Sequence, residues 1–364
     1  MPISIWNDHP YDQNAIFTGS ASTVNGETVL VYPGLCDARK AGCPGGTNLC
    51  IAVPADPADP LQTNWTKDEY AQNPIVNGTQ RDPSTAWQNP CGEWQLTTFD
   101  TIIYGSMDFK SWYKIGAETP SHVHLSTHDI GGDLMVVGTY VPGERGKVGI
   151  FKQTPGVPFT GTKIDIGVTK ATKDFYDPVK KRRIHWSSVH VGDHSSPARD
   201  FSGFVQSMPR EVTWNPELQQ TVHSPIEEQA LLRGRVIGSL ASRILQAGHI
   251  LSLDLPAKLG SQSEIRVSFA RPSVPTTLSV KVMANITSSS SLHAGKMPTP
   301  PEKATLSGGT DFSIDYSPNE DGQISTVAVR GGSFTHRLKL SPNDKTIEMA
   351  LYVDNTFTEA YFMD

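Results

Sequence analysis

The chain has 364 residues, a formal net charge of -6 at pH 7, 31 Gly and 27 Pro. That length supports one large domain or two, each able to bury a core. The acidic balance, with no basic run longer than Lys180-Lys181-Arg182-Arg183, excludes an electrostatic nucleic-acid footprint, and no stretch approaches about 18 apolar residues, so no membrane partner is expected.

In chain order, the opening Met1-Pro2-Ile3-Ser4-Ile5-Trp6 has neither the basic nor the apolar region of a signal peptide. A strand is expected at 28–32, a short β-rich run bounded by turn residues. Cys36, Cys43 and Cys50 are expected in a Gly/Pro-rich loop, with Cys91 further on. The count is even and no Cys-x-x-Cys pair occurs, which argues against zinc and leaves disulfide pairing open. Segments 41–48 and 54–60 read as surface loops. Three acceptor sequons, at Asn64, Asn77 and Asn285, suit a secreted or lumenal protein.

His122-Val123-His124 places two imidazoles on one face of a strand, with His128 after them. No carboxylate is spaced to complete a site, so a plain strand is expected, without metal or cofactor. Further strands are expected at 134–138, 266–269 and 325–329, and the tetrabasic run reads as a solvated β-turn. The one clear helix candidate is 224–234. Ser224 can cap it, Pro225 suits its first position, Glu227 can reach back, and Gly234 can close it. Beyond it, strands at sandwich-like spacing are expected, including 249–255 and 278–282. The Gly- and Pro-rich chain, poor in helical periodicity, is expected to be all-β. Its expected parts are residues 1–223, a hinge at 224–236, and a β-sandwich over 237–364.

Three segments carry a resemblance to glycoside hydrolase family 32, the invertase-type β-fructosidases. The first is Trp6-Asn7-Asp8-His9-Pro10-Tyr11-Asp12 leading into Phe17-Thr18-Gly19-Ser20-Ala21. The second is Arg81-Asp82-Pro83-Ser84-Thr85-Ala86-Trp87, similar to the family's Arg-Asp-Pro motif. The third, Asp174-Phe175-Tyr176-Asp177-Pro178 with Arg182-Arg183-Ile184-His185-Trp186, resembles a late propeller strand pair. Leu351-Tyr352-Val353-Asp354 with Thr358-Glu359-Ala360-Tyr361 resembles a strand of the family's C-terminal sandwich.

The resemblance implies a five-bladed β-propeller, incomplete in its first blade, followed by a β-sandwich. It also implies retaining hydrolysis of sucrose or a fructan, which needs two carboxyl groups about 5–5.5 Å apart. Asp82 matches the family's third carboxylate, the transition-state stabiliser, and Phe17, Ser20 and Arg81 match its substrate-binding surroundings. The reacting pair has no match. The Asn-Asp-Pro-Asn-Gly strand of the nucleophile does not occur, Asp8 reads as a turn residue, and the sequence is expected to begin after that strand. No Glu-Cys-Pro follows Trp112; Glu118 is the carboxylate nearest that place, and Cys91-Gly92-Glu93 runs in the wrong order. Lys170-Ala171-Thr172-Lys173 stands where Tyr-Ala-x-Lys is usual, and Trp186-Ser187-Ser188 where Trp-Gly-Trp is usual. Two readings follow: a β-fructosidase by family that is inactive in this form, or a non-catalytic carbohydrate-binding or interaction protein.

Overall fold

The computed structural model describes residues 3–78, 81–117, 133–155, 162–167, 169–191, 203–240, 242–251, 253, 262–286, 306–319, 323–354 and 357–363. These residues are almost entirely β, with a single 3-10 turn over Glu227–Leu232 as the helix among the described segments. The chain forms two compact units. One comprises residues 1–125, 134–162 and 173–175; the other comprises 126–133, 163–172 and 176–364.

The first unit is built on two antiparallel sheets. In one, the strands Ala15–Ile16, Glu27–Cys36, Gly46–Pro54 and Trp65–Thr66 lie in that order, with Ser20–Val24 also paired to Glu27–Cys36. In the other, Trp87–Gln88, Trp94–Thr97, Ile102–Ser106 and Tyr113–Ala117 follow in sequence. Val24, Val29, Val31, Leu49, Ile51, Leu96, Tyr104 and Phe109 join the two sheets in one apolar core. Alternation explains the edge strand: Ser20, Ser22 and Val24 are buried while Ala21 and Thr23 are exposed. The strand Gly46–Pro54 is buried over a continuous run from Asn48 to Ala52, as expected of a strand covered on both faces.

In the second unit, save for residues 173–175, which belong to the first, a sheet orders Thr169–Asp177, Arg182–Val191, Arg210–Asn215 and Gln220–Pro225, with Gly203–Gln206 also paired to Arg182–Val191. The Asp174 and Arg182 segments are thus neighbouring strands; Lys180 and Lys181 turn between them, but Arg182 and Arg183 lie on the strand, where Arg182 is paired with Asp177 and Glu228 and is not the solvated turn residue expected. Two more antiparallel sheets form a sandwich: Gln262–Ala270, Thr346–Asp354 and Phe357–Phe362 against Thr276–Val282, Thr310–Tyr316, Ser325–Gly331 and Phe334–Leu340. Phe269, Ile347 and Met349 of one sheet interlock with Ile314, Val327, Val329 and Leu340 of the other. Tyr352 pairs with Glu359 and Val353 with Thr358, so the two C-terminal motif segments are adjacent strands.

Local expectations differ at four places. Residues 46–48 are strand, because Gly46, Thr47 and Asn48 pair with Cys36, Leu35 and Gly34. Cys36 and Cys50 therefore lie on strands, and Cys36 is bonded to Cys43 across the intervening turn. The helix at 224–234 contracts to Glu227–Leu232, with no side-chain cap. Ser224 and Pro225 stay in the sheet opposite Glu211 and Arg210, while Glu227 and Glu228 turn outward to Lys180 instead of reaching back. Residues 249–251 and 253 are not strand, since Gly248 takes φ +78 and His249 N–H closes a turn on Gln246 O at 3.0 Å. Glu118, His122, His124, His128 and the serine run lie outside the described residues.

Candidate functional site

The Arg81-Asp82-Pro83 segment is an irregular stretch pinned from several directions. Asp82 adopts φ +57, in the left-handed region that a non-glycine residue occupies only when its surroundings hold it. Before it, Phe99 N–H donates to Arg81 O at 2.9 Å. After it, Pro83 O accepts from Ser20 Oγ at 2.6 Å and from Lys173 Nζ at 2.8 Å. Beyond these, Ser84 N–H donates to Thr97 O at 2.8 Å, Thr97 N–H donates to Ser84 Oγ at 3.1 Å, and Ala86 N–H donates to Ser22 Oγ at 2.9 Å. Two serines one pleat apart on the strand Ser20–Val24 thus fasten the turn on one flank, and the hairpin from Trp94 to Ser106 fastens it on another.

The strand reaches Ser20 through Phe17-Thr18-Gly19. Glycine is required there: a Cβ on Gly19 would lie 2.5 Å from Val31 O. Phe17 N–H donates to Pro33 O at 2.9 Å, leaving the ring 37% exposed. Ser20 itself is buried, its hydroxyl committed to Pro83 O.

Arg81 and Asp82 are the polar groups this turn presents to solvent, with side chains 41% and 34% exposed. Arg81 Nε lies 3.5 Å from Asp82 Oδ2, and its guanidinium sits 5.3 Å from the centre of the Phe99 ring. Stacking on an aromatic face fixes the direction of the guanidinium while leaving its fork of donors available. A carboxylate and a guanidinium held side by side suit a ligand rich in hydroxyl groups, the carboxylate accepting and the guanidinium donating. The structure thus brings Ser20, Arg81 and Asp82 together around Pro83, and Phe17 precedes Ser20 by three positions. Lys173 is the member that sequence reasoning missed. Burial depresses its ammonium to a pKa of about 8, and the neighbouring charge of Asp82 works in the opposite direction. Its place in the Lys170-Ala171-Thr172-Lys173 run was the available signal.

Glu93, Asp8 and Asp12 of the first unit are engaged in the scaffold. Glu93 is fully buried, taking hydrogen bonds from Gln95 Nε2 at 2.9 Å, Asn89 Nδ2 at 3.2 Å, Gly146 N at 3.0 Å and the Tyr113 hydroxyl. Asp8, His9 and Asp12 offer atoms within 4.8 Å of one another, as metal ligands would. Lys67 Nζ already lies 2.7 Å from both Asp8 and Asp12 and also meets Trp6 O, so an ammonium takes the place a metal cation would occupy in this group. The hydrogen bond from Lys67 is the main cause that lowers the Asp8 carboxyl to a pKa of about 2.

Comparison with known proteins gives the site a context. Residues 1–128 match the family described as Glycosyl hydrolases family 32 N-terminal domain. The chain is 31% identical over 324 residues to the insoluble β-fructofuranosidase isoenzyme CWINV3 of Arabidopsis thaliana, covering 71% of this chain and 51% of that protein. It is 28% identical over 331 residues to a fructan 6-exohydrolase of Triticum aestivum, covering 73% of this chain and 53% of that protein. The chain therefore spans about half the length of these curated relatives. Its fold is similar to that of fructan 1-exohydrolase IIa from Cichorium intybus, with a TM-score of 0.73 at 19% identity, covering 99% of this chain and 78% of that one. A structure of an E-to-Q form of the same protein in complex with 1-kestose gives a TM-score of 0.72 at 20% identity, with the same coverage.

Proposed function

The chain belongs to glycoside hydrolase family 32, a family of β-fructofuranosidases and fructan hydrolases, and on that premise we propose that its Asp82 turn grips a fructosyl unit of sucrose or a fructan. In this reading Asp82 accepts hydrogen bonds from sugar hydroxyls and stabilises an oxocarbenium-like transition state. Arg81 orients the bound sugar, Phe17 offers an exposed ring beside it, and Ser20 contributes by holding Pro83. No cofactor is invoked. The strands of residues 1–223 are assigned to propeller blades, 224–236 to a hinge and 237–364 to the sandwich. The Cys36–Cys43 bridge supports a secreted or lumenal setting.

The observation that carries the reading is Asp82 itself, held at φ +57 with its carboxylate beside Arg81 at the exposed side of an otherwise fastened turn. Retaining chemistry also needs a nucleophile and an acid/base, and these 364 residues contain neither an Asn-Asp-Pro-Asn-Gly nor a Glu-Cys-Pro segment. We assign them sugar binding without turnover of their own.

The test is calorimetric titration of the purified chain with 1-kestose and with sucrose, alongside an assay for released glucose. Saturable binding is expected. Asp82→Ala should weaken it by about tenfold to a hundredfold, the range for losing hydrogen bonds to a charged group, with glucose at background throughout. Binding indifferent to that substitution, or glucose release that it abolishes, overturns the proposal.

A further inference from the structure

The two peptide units that flank Asp82 are held from different elements. On the Arg81 side Phe99 N–H donates to Arg81 O. On the other side, Pro83 O takes two donors, Ser20 Oγ at 2.6 Å and Lys173 Nζ at 2.8 Å, the second carried by the distant strand Thr169–Asp177. Lys173 is the charged donor of the two, and a charge-assisted hydrogen bond is shorter and stronger than a neutral one. An ammonium also has two further N–H groups to turn toward an anion, and the charge of Asp82 acts on it. Lys173 is half-buried, so its charge is screened less than that of a surface lysine.

We propose that Lys173 is the positioning residue of the sugar site: it clamps Pro83 so that Asp82 stays in the left-handed conformation with its carboxylate aimed at the ligand. This rests on the reading of Asp82 as the sugar-gripping carboxylate. Lys173 does not touch the sugar. Among charged groups, Asp82 of the turn acts on it, and Lys170 and Asp174 are its neighbours along its own strand. Because burial brings the amine to a pKa of about 8, the clamp is fully charged below that pH and discharges as pH rises through it. A surface lysine would hold its charge to about pH 10. Sugar affinity should therefore be level from pH 5 to 7 and decline above about 8.

The experiment is the pH profile of 1-kestose affinity for the intact chain and for Lys173→Arg and Lys173→Met. Arginine cannot discharge in this range, so Lys173→Arg should retain affinity past pH 9. Lys173→Met should bind at least about tenfold more weakly at every pH, with a flat profile. A general loss of stability would weaken binding without moving the alkaline limb. If both variants keep the wild-type affinity and the wild-type limb, the proposal is wrong.

Should Lys173→Met fail to fold, or the wild-type chain bind no sugar, the second arm decides. Carbon-13 titration of the ligand-free wild-type chain should show the Lys173 ε-carbon shifting with a midpoint near pH 8, with the Asp82 carboxyl signal moving in the same step. An Asp82 signal indifferent to that step overturns the clamp. Absence of sugar binding with the coupled titration intact overturns only the sugar-gripping reading.

Discussion

Arg210 shows how much one buried cation can hold. Its guanidinium reaches Asp165 Oδ2 at 2.6 Å, Glu359 Oε2 at 2.8 Å and the Tyr361 hydroxyl at 3.0 Å, joining a strand of the five-stranded sheet to the last strand of the sandwich. Burial opposes ionisation of Asp165, yet the Arg210 charge keeps its carboxyl below the ordinary value. Arg210→Met would leave Glu359 buried with no cation. We expect a loss of about 3–5 kcal/mol, the usual cost of breaking a buried pair from one side, read as a lower urea midpoint with an unchanged slope. At this scale the sequence was informative only where the proposed site is local. Arg81-Asp82-Pro83 is contiguous and could be read directly. The partner of Ser20 lies 63 positions away and that of Lys173 lies 90 positions away, and neither contact leaves a local pattern. Glu359 was legible as a strand residue but not as the partner of Arg210, 149 positions distant.

Elements were legible where burial imposes a period. In Ser325–Gly331, Ser325, Val327 and Val329 are buried, and in Thr276–Val282 exposure alternates to the buried Val282; both match strands expected at 325–329 and 278–282. The helix was misread because its signal was made of capping residues alone. Those residues had stronger partners: Pro225 in the ladder with Arg210, and Glu228 with Arg182 at 2.5 Å. The strand Ser20–Val24 offers a direct test of how an element positions a site. Gly19→Ala would press a methyl group against Val31 O, a backbone atom that cannot rotate away. The expected cost is about 1–3 kcal/mol, as for other overpacked positions. Sugar affinity should fall with it, because the displaced strand carries the hydroxyls of Ser20 and Ser22. Chemical denaturation and a 1-kestose titration of the same variant would check both, and unchanged affinity in a destabilised variant would detach the strand from the site.

At the scale of the molecule, the all-β class followed from abundant Gly and Pro and from the lack of helical periodicity, because short strands need many turns. The sandwich followed from strand spacing, and its two sheets meet in a core of Ile314, Val327, Leu340, Ile347 and Met349. The pairing of the cysteines did not follow, since an even count gives no connectivity. Folding supplies it by bringing Cys36 and Cys43 together at the end of a hairpin.

That pairing divides the four sulfurs into three chemically distinct kinds: Cys36 and Cys43 oxidised, Cys50 reduced but sealed within the sheet, and Cys91 reduced and open to solvent. A colorimetric thiol reagent should accordingly count one group in the native chain, two in denaturant and four once a reductant is added. A preparation that yields two before denaturant has a loosened first sheet, and one that yields four in denaturant alone has left the hairpin unlinked.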